Sequence, residues 1–433
     1  MTSSIVGQTP DAIEGRRWLP RFITIWAGQA ASQFGSQVAQ FALVWWITQT
    51  TGSAMALSLA TLCAIVPSVI IMPFAGALID RWSRRKIMLV SDTLSAVIAL
   101  SLAGLFVSGQ PRLELIYAAI LLRSALGAFQ FPAMQAATST LVPGQHLTRV
   151  GGLNQMLQGA MGIFAPATGA LVISVAPIAA AMGIDVLTAL MAVVPLLFIA
   201  IPQPARRAAT GDGVEPRTGL LQEMREGLRY LLGHRGLLFV GLVAALLNFL
   251  LTPAGALMPL LITGHFRGGA AELAGIEAVG GIGLVLGGVL MGITGGFKRK
   301  SDNLIIGGAG IGLGIGLIGL VPAEFFVLAM VAMFLTSIAQ ATANATAMAL
   351  FQSEVPPDMV GRVMSLLGTA SMGISPLSLL IAGPFGEAFG PRPWLVMAGV
   401  LSIVVCAVGG LSAQVRALGM RPPPHAQTPA PQS

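Results

Sequence analysis

Charged side chains are scarce in this chain: Asp, Glu, Lys and Arg make up 9% of its 433 residues. A water-soluble domain carries roughly 25%, because its surface has to be wetted. So little charge excludes an aqueous surface of ordinary size, and the 55% apolar fraction puts most of the exterior against lipid. Cysteine is equally sparse. Cys63 and Cys406 sit singly in long apolar runs without metal-ligand spacing, and read as small packing residues. The histidines His146, His234, His265 and His425 fall in expected loops or tails, where they assemble no catalytic or metal cluster. A G-x-x-x-x-G-K-[ST] phosphate loop is also missing, so ATP hydrolysis is not expected. Neither a cofactor nor an enzymatic activity is expected. The polar stretch Met1–Pro20, followed by an apolar run too long for a secretory signal, gives no reason to expect a cleaved leader.

What the chain has in abundance is apolar runs. A bilayer core of roughly 30 Å needs about 20 apolar residues per helix. Runs of that size predict helices over 22–48, 54–79, 86–108, 114–136, 149–173 and 179–201. Six more follow over 236–262, 273–297, 303–321, 325–350, 361–385 and 391–413. The expectation is an all-α integral membrane protein with twelve transmembrane helices. Its parts would be a cytoplasmic tail (1–20), a six-helix bundle (21–201), a linker (202–235), a second bundle (236–415) and a disordered tail (416–433). With an inside N-terminus, twenty of the twenty-four Lys and Arg residues fall on one side; Arg112, Arg267 and Arg392 fall on the other and Arg123 within a span. That asymmetry predicts both termini in the cytoplasm, and it explains the net charge of +7 without nucleic acid. In the linker, Leu220, Leu221, Met224, Leu228, Leu231 and Leu232 alternate with Glu223, Arg225, Glu226 and Arg229 at helical period, which predicts an amphipathic helix on the membrane surface.

A short repeat relates the two halves. Val142-Pro143 precedes Arg149-Val150, and Val355-Pro356 precedes Arg362-Val363 at the same spacing, each after the fourth span of its half. Duplicated halves about a central site are the architecture of alternating access. The segment Gly76-Ala77-Leu78-Ile79-Asp80-Arg81-Trp82-Ser83-Arg84-Arg85-Lys86 follows the second span. Its basic run holds the loop to the cytoplasmic face. Asp80 either pairs with a base, caps a helix or is incidental.

This segment resembles the signature loop of the major facilitator superfamily, which Gly76, Leu78, Asp80, Arg81, Arg84 and Arg85 match. Ser83 stands where Gly is common, and the second-half counterpart Gly292 to Lys300 has Gly296 in place of the acid. The resemblance implies the major facilitator fold, two pseudo-symmetric six-helix bundles, with this loop acting as a latch on the cytoplasmic side and Asp80 as a gating residue. Arg123 with Gly127 resembles a further family element. Gly159, Gly162, Pro166 and Gly169 resemble a degraded antiporter motif in which Ala165 and Ala170 replace glycines. Phe131-Pro132-Ala133, Leu141-Val142-Pro143, Asn154, Gly227 to Leu231 and Gly361 to Ser365 resemble the branch holding macrolide efflux proteins and enterobactin exporters.

Gln29, Gln33 and Gln37 recur at four-residue spacing on the first span, beside Ser32, Ser36 and Gln40. Such amides require either a partner helix or a wet cavity. The resembled family lines its central cavity with the first, fourth, seventh and tenth spans. On that basis Gln130, Asn248, Gln340 and Asn344 join the three amides, as does Gln158 on the fifth span. Such a wall suits a bulky, largely neutral or amphipathic ligand. Candidate proton carriers are Asp92, Asp185 and Glu277, with Arg123 as a charge at membrane depth. The plainer alternatives are pairing with a loop arginine for Asp92, helix capping for Asp185, headgroup contact for Glu277 and snorkelling for Arg123. The resemblance implies a bacterial inner-membrane exporter of a siderophore, macrolide-like antibiotic or drug. It would be driven by protons, surrounded by lipid and monomeric. An importer or a membrane sensor are the competing readings.

Overall fold

Inside hydrocarbon no water competes for backbone N–H and C=O groups, so each segment must satisfy its own, and helices do so. The computed structural model describes residues 18–199, 201, 220–294 and 300–412, and leaves out the side chains of 73, 76–78, 80, 81, 220–224, 357, 358 and 365. Among the described residues there are thirteen α-helices and no strand. The first half contributes α1 (Trp18–Thr51), α2 (Ala54–Arg81), α3 (Arg84–Val107), α4 (Leu113–Leu141), α5 (Leu147–Val175) and α6 (Ile178–Phe198). The amphipathic α7 (Leu220–Gly233) follows. The second half contributes α8 (Arg235–Gly264), α9 (Ala270–Thr294), α10 (Lys300–Leu320), α11 (Phe326–Glu354), α12 (Pro357–Phe389) and α13 (Pro391–Leu411). Each expected span has its helix, with ends displaced by a few residues. The expected tails and the first part of the expected linker, 202–219, lie largely outside the described residues.

Eleven of these helices are long and apolar enough to cross a membrane. The twelfth expected span, α1, is not among them, and its own sequence explains why. At 34 residues it is about 50 Å long, more than a bilayer requires. Its glutamines and serines lower its mean hydropathy, and it packs within the first half against α5 and α6. α7 is too short to span. It docks on α12, with Leu231 buried and Glu226 ion-paired to Arg362.

The repeat has a packing role. Val142 and Val150 are buried in one apolar cluster of the first half, Val355 and Val363 in the corresponding cluster of the second. Both clusters lie at the end of the molecule where α1 and α8 begin, and neither crosses between the halves. The opposite, far end is different. There Phe41, Ala54 and Ala170 join Leu250, Leu257, Leu273 and Trp394 in one cluster. Glu387 of α12 also accepts hydrogen bonds from the Ser53 hydroxyl at 2.9 Å and the Met55 N–H at 3.2 Å. Midway, α5 and α9 approach at Gly162 and Gly281. Among the described residues, these contacts between the halves lie at the far end and midway, and each near-end cluster stays within its own half.

Within the second half, α10 and α13 make backbone contact through glycine. A Cβ on Gly399 would lie 2.5 Å from Gly316 Cα and 2.6 Å from the Gly312 carbonyl oxygen. Gly399→Leu is expected to cost about 1–3 kcal/mol through overpacking. A thermal-unfolding series in detergent checks this, with Gly104→Ala, which meets nothing within 4 Å, showing no such loss.

Candidate functional site

The polar residues of α1 line a cavity of about 710 Å³. All of its walls come from α1 to α5, and along α1 it runs from Gln40 to Trp26. Gln29, Gln33, Gln37, Gln130 and Gln158 all face it, as does Arg123. Four residues turn a helix through roughly 400°, so a stripe at this spacing drifts slowly around the helix. Gln29 accordingly meets α3, whereas Gln33 and Gln37 meet α5: Gln158 Nε2 donates to Gln33 Oε1 at 3.3 Å and Gln37 Nε2 to Met161 Sδ at 3.4 Å.

Behind the amides lies Asp92, only 1% exposed. Gln29 Nε2 and Gln130 Nε2 each donate to it at 2.6 Å, and the Ser32 hydroxyl donates at 3.3 Å. Gln130 also donates to Gln29 Oε1 at 3.0 Å. A carboxylate accepts only, so both amides must present nitrogen to it. Pairing with a loop arginine is not what the structure shows. Arg84 instead donates to the Ala136 carbonyl at 2.6 Å, and Arg85 to the carbonyls of Leu196 and Leu197 at 2.5 and 2.6 Å. Both arginines thus cap the carbonyl ends of α4 and α6, where a helix dipole favours cations.

A second polar cluster lies farther along α1. Arg123 of α4 is ion-paired with Asp185 of α6, and Ser36 joins both, accepting from Arg123 at 3.0 Å and donating to Asp185 at 2.9 Å. Asp185 is two turns inside α6, so it does not cap that helix, and the bonded arginine does not snorkel. Gly35 permits the contact: a Cβ there would collide with Thr188 of α6.

The other expected residues are placed elsewhere. Asn248, Gln340 and Asn344 are exposed on the second half and do not line this cavity, and Asn248 donates to its own helix at Ala244. Glu277 is two turns into α9, with no hydrogen bond or ion pair among the described residues. The side chains of Gly76, Asp80 and Arg81 lie outside the described residues. Two partners were not anticipated. Asn154 accepts from Trp26 Nε1 at 2.7 Å, and Ser124 donates to the Ala64 carbonyl at 2.5 Å. Asn154 stands four residues before Gln158, and that spacing marks a second amide-bearing face on α5. Among the described residues no three His, Cys, Asp or Glu side chains come together as a metal site.

The Major Facilitator Superfamily model matches residues 25–378. The chain belongs to this superfamily. Within it, the chain falls in the macrolide efflux branch. It is 31% identical over 404 residues to Macrolide efflux protein A of Streptococcus pyogenes, covering 93% of this chain and 98% of that protein. It is 24% identical over 391 residues to the Multidrug efflux pump Tap of Mycolicibacterium fortuitum, covering 86% and 90%. Among solved structures, the nucleoside transporter NupG matches with a TM-score of 0.69 at 12% identity, covering 91% of this chain and 99% of NupG. A bacterial homologue of the lysosomal transporter Spinster, inward-facing and unoccupied, matches with a TM-score of 0.66 at 14% identity, covering 95% and 98%. Membership of this superfamily makes the chain a multi-pass membrane transporter of small molecules, and the solved structures share its fold.

Removing one partner of a buried ion pair strands the other charge. Asp185→Asn is expected to destabilise the protein by about 3–5 kcal/mol, and the double variant Arg123→Gln/Asp185→Asn to recover most of that in detergent melts. Equal melting of single and double variants would show that Arg123 finds another counter-charge.

Proposed function

We propose that this transporter exports bulky amphipathic natural products of the macrolide type from the bacterial cytoplasm, exchanging them for protons. The observation that carries the reading is the amide-walled cavity of about 710 Å³ with a carboxylate directly behind its amides. A volume of that size suits a large ligand, and the efflux names of the relatives support the direction. The chain sits in the inner membrane as a monomer with both termini cytoplasmic, in keeping with its loop positives. In this reading the near end faces the cytoplasm, and the far end, where an apolar cluster joins the halves, is the closed side.

Asp92 is the coupling carboxylate in this reading. Ionised, it draws the amide nitrogens of Gln29 and Gln130 toward itself and leaves Gln130 Oε1 to accept from a substrate hydroxyl or ammonium. Its negative charge, one residue behind the wall, favours such donors. A proton arriving from the far side cancels the charge and the orientation together, and the substrate leaves. Export then requires the near end to close, and Asp80 with Arg81 serves as the latch of that closure.

Cells carrying the protein should accumulate less of a radiolabelled macrolide than cells without it, and a protonophore should abolish the difference. Higher accumulation in the carrying cells would point to import, and no difference for any macrolide would remove the substrate class. Gln33→Ala should shift the ratio of efflux rates between two macrolides by about fivefold, the worth of one hydrogen bond. An unchanged ratio would take Gln33 out of the binding wall. Asp80→Asn should stop transport while leaving equilibrium macrolide binding to the purified protein intact.

A further inference from the structure

An apolar groove lies outside the amide-walled cavity, at the far end of the second half. It encloses about 920 Å³ where the ends of α8 and α10 meet the start of α13. Leu320, Phe389, Val396 and Val400 line it, and Leu320 and Val400 are more than half exposed, so it opens sideways toward lipid. Below the headgroups water does not hydrate a pocket of this composition, and hydrocarbon fills it. Two polar side chains stand at its rim. His265 Nε2 is held by the Val321 carbonyl at 2.9 Å. Arg392 donates through Nε to the Gly319 carbonyl at 3.0 Å, which fixes the plane of the guanidinium. Among the described residues Arg392 has no ion pair, and its two terminal nitrogens remain free to donate. It also stands in the first turn of α13, at the positive end of that helix.

We propose that this groove binds one anionic phospholipid, its phosphate on Arg392 and one acyl chain along Val396 and Val400. An oriented guanidinium with two free nitrogens matches a phosphate bidentately. An apolar trough directly below it supplies what a free phosphate ion could not use. Arg112, the N-cap of α4 at the same end of the molecule, does not line this groove and serves as the comparison.

The test is native mass spectrometry of the protein exchanged into detergent from membranes of mixed phosphatidylglycerol and phosphatidylcholine. The wild type and Arg112→Gln should each retain one phosphatidylglycerol. Arg392→Gln should retain at least tenfold less, with an unchanged melting temperature in lipid-free detergent. Val400→Trp, which fills the trough and leaves the arginine in place, should lose the lipid as well. The proposal is overturned if Arg392→Gln retains as much as the wild type, if phosphatidylcholine is held equally well, or if Arg112→Gln loses the same amount. None of these readouts depends on transport, so the export reading stands or falls separately.

Discussion

Two carboxylates inside one six-helix bundle must be satisfied without water, and the first half is arranged around that demand. Asp185 meets a cation, Arg123, with Ser36 bridging the pair. Asp92 meets no cation and is held by two amides and a hydroxyl. The difference matters, because an ion pair keeps its charge fixed whereas a carboxylate held only by neutral donors can accept a proton without stranding a partner charge. Both sites hang on α1, whose polarity is the reason that it stands apart from the eleven apolar spans. The helix that looks least like a membrane span is the one that ties α3, α4 and α6 together.

The second half is built on a different principle. Its core is a large apolar cluster that reaches across to Phe41, Ala54 and Ala170 of the first half. The two buried carboxylate clusters described above thus lie in one bundle, and the cluster joining the bundles is apolar. Apart from the bonds of Ser53 and Met55 to Glu387, the cluster that makes this joint is apolar, and such a joint suits bundles that rock about it. At the near end each half has its own closed cluster, so the two can separate there without exposing either core.

Much of this was legible in the sequence. Spans follow from apolar length, α7 from its helical period, and the equivalence of the halves from Val142-Pro143 and Val355-Pro356. The amides Gln29, Gln33, Gln37, Gln130 and Gln158 stand out in the sequence because uncharged polar groups in long apolar runs are costly and conspicuous, and the structure brings them to one cavity. What sequence could not supply was pairing. Arg123 and Asp185 are 62 residues apart and Gln29 and Asp92 are 63 apart, and nothing in local period says which helix faces which. The same limit applies to Asn248, Gln340 and Asn344, which are exposed on the second half and lie outside this cavity: a polar residue on an apolar helix announces that it needs a partner or water, not where it finds one.

The most direct measurement is proton release on substrate binding, read with a pH indicator in weakly buffered, detergent-purified protein. Addition of a macrolide to the wild type should release protons in proportion to the ligand bound, and Asp92→Asn should bind ligand without releasing any. Equal release from both proteins would contradict the assignment of coupling to Asp92 and place the exchanging carboxylate elsewhere, with Glu277 next in line.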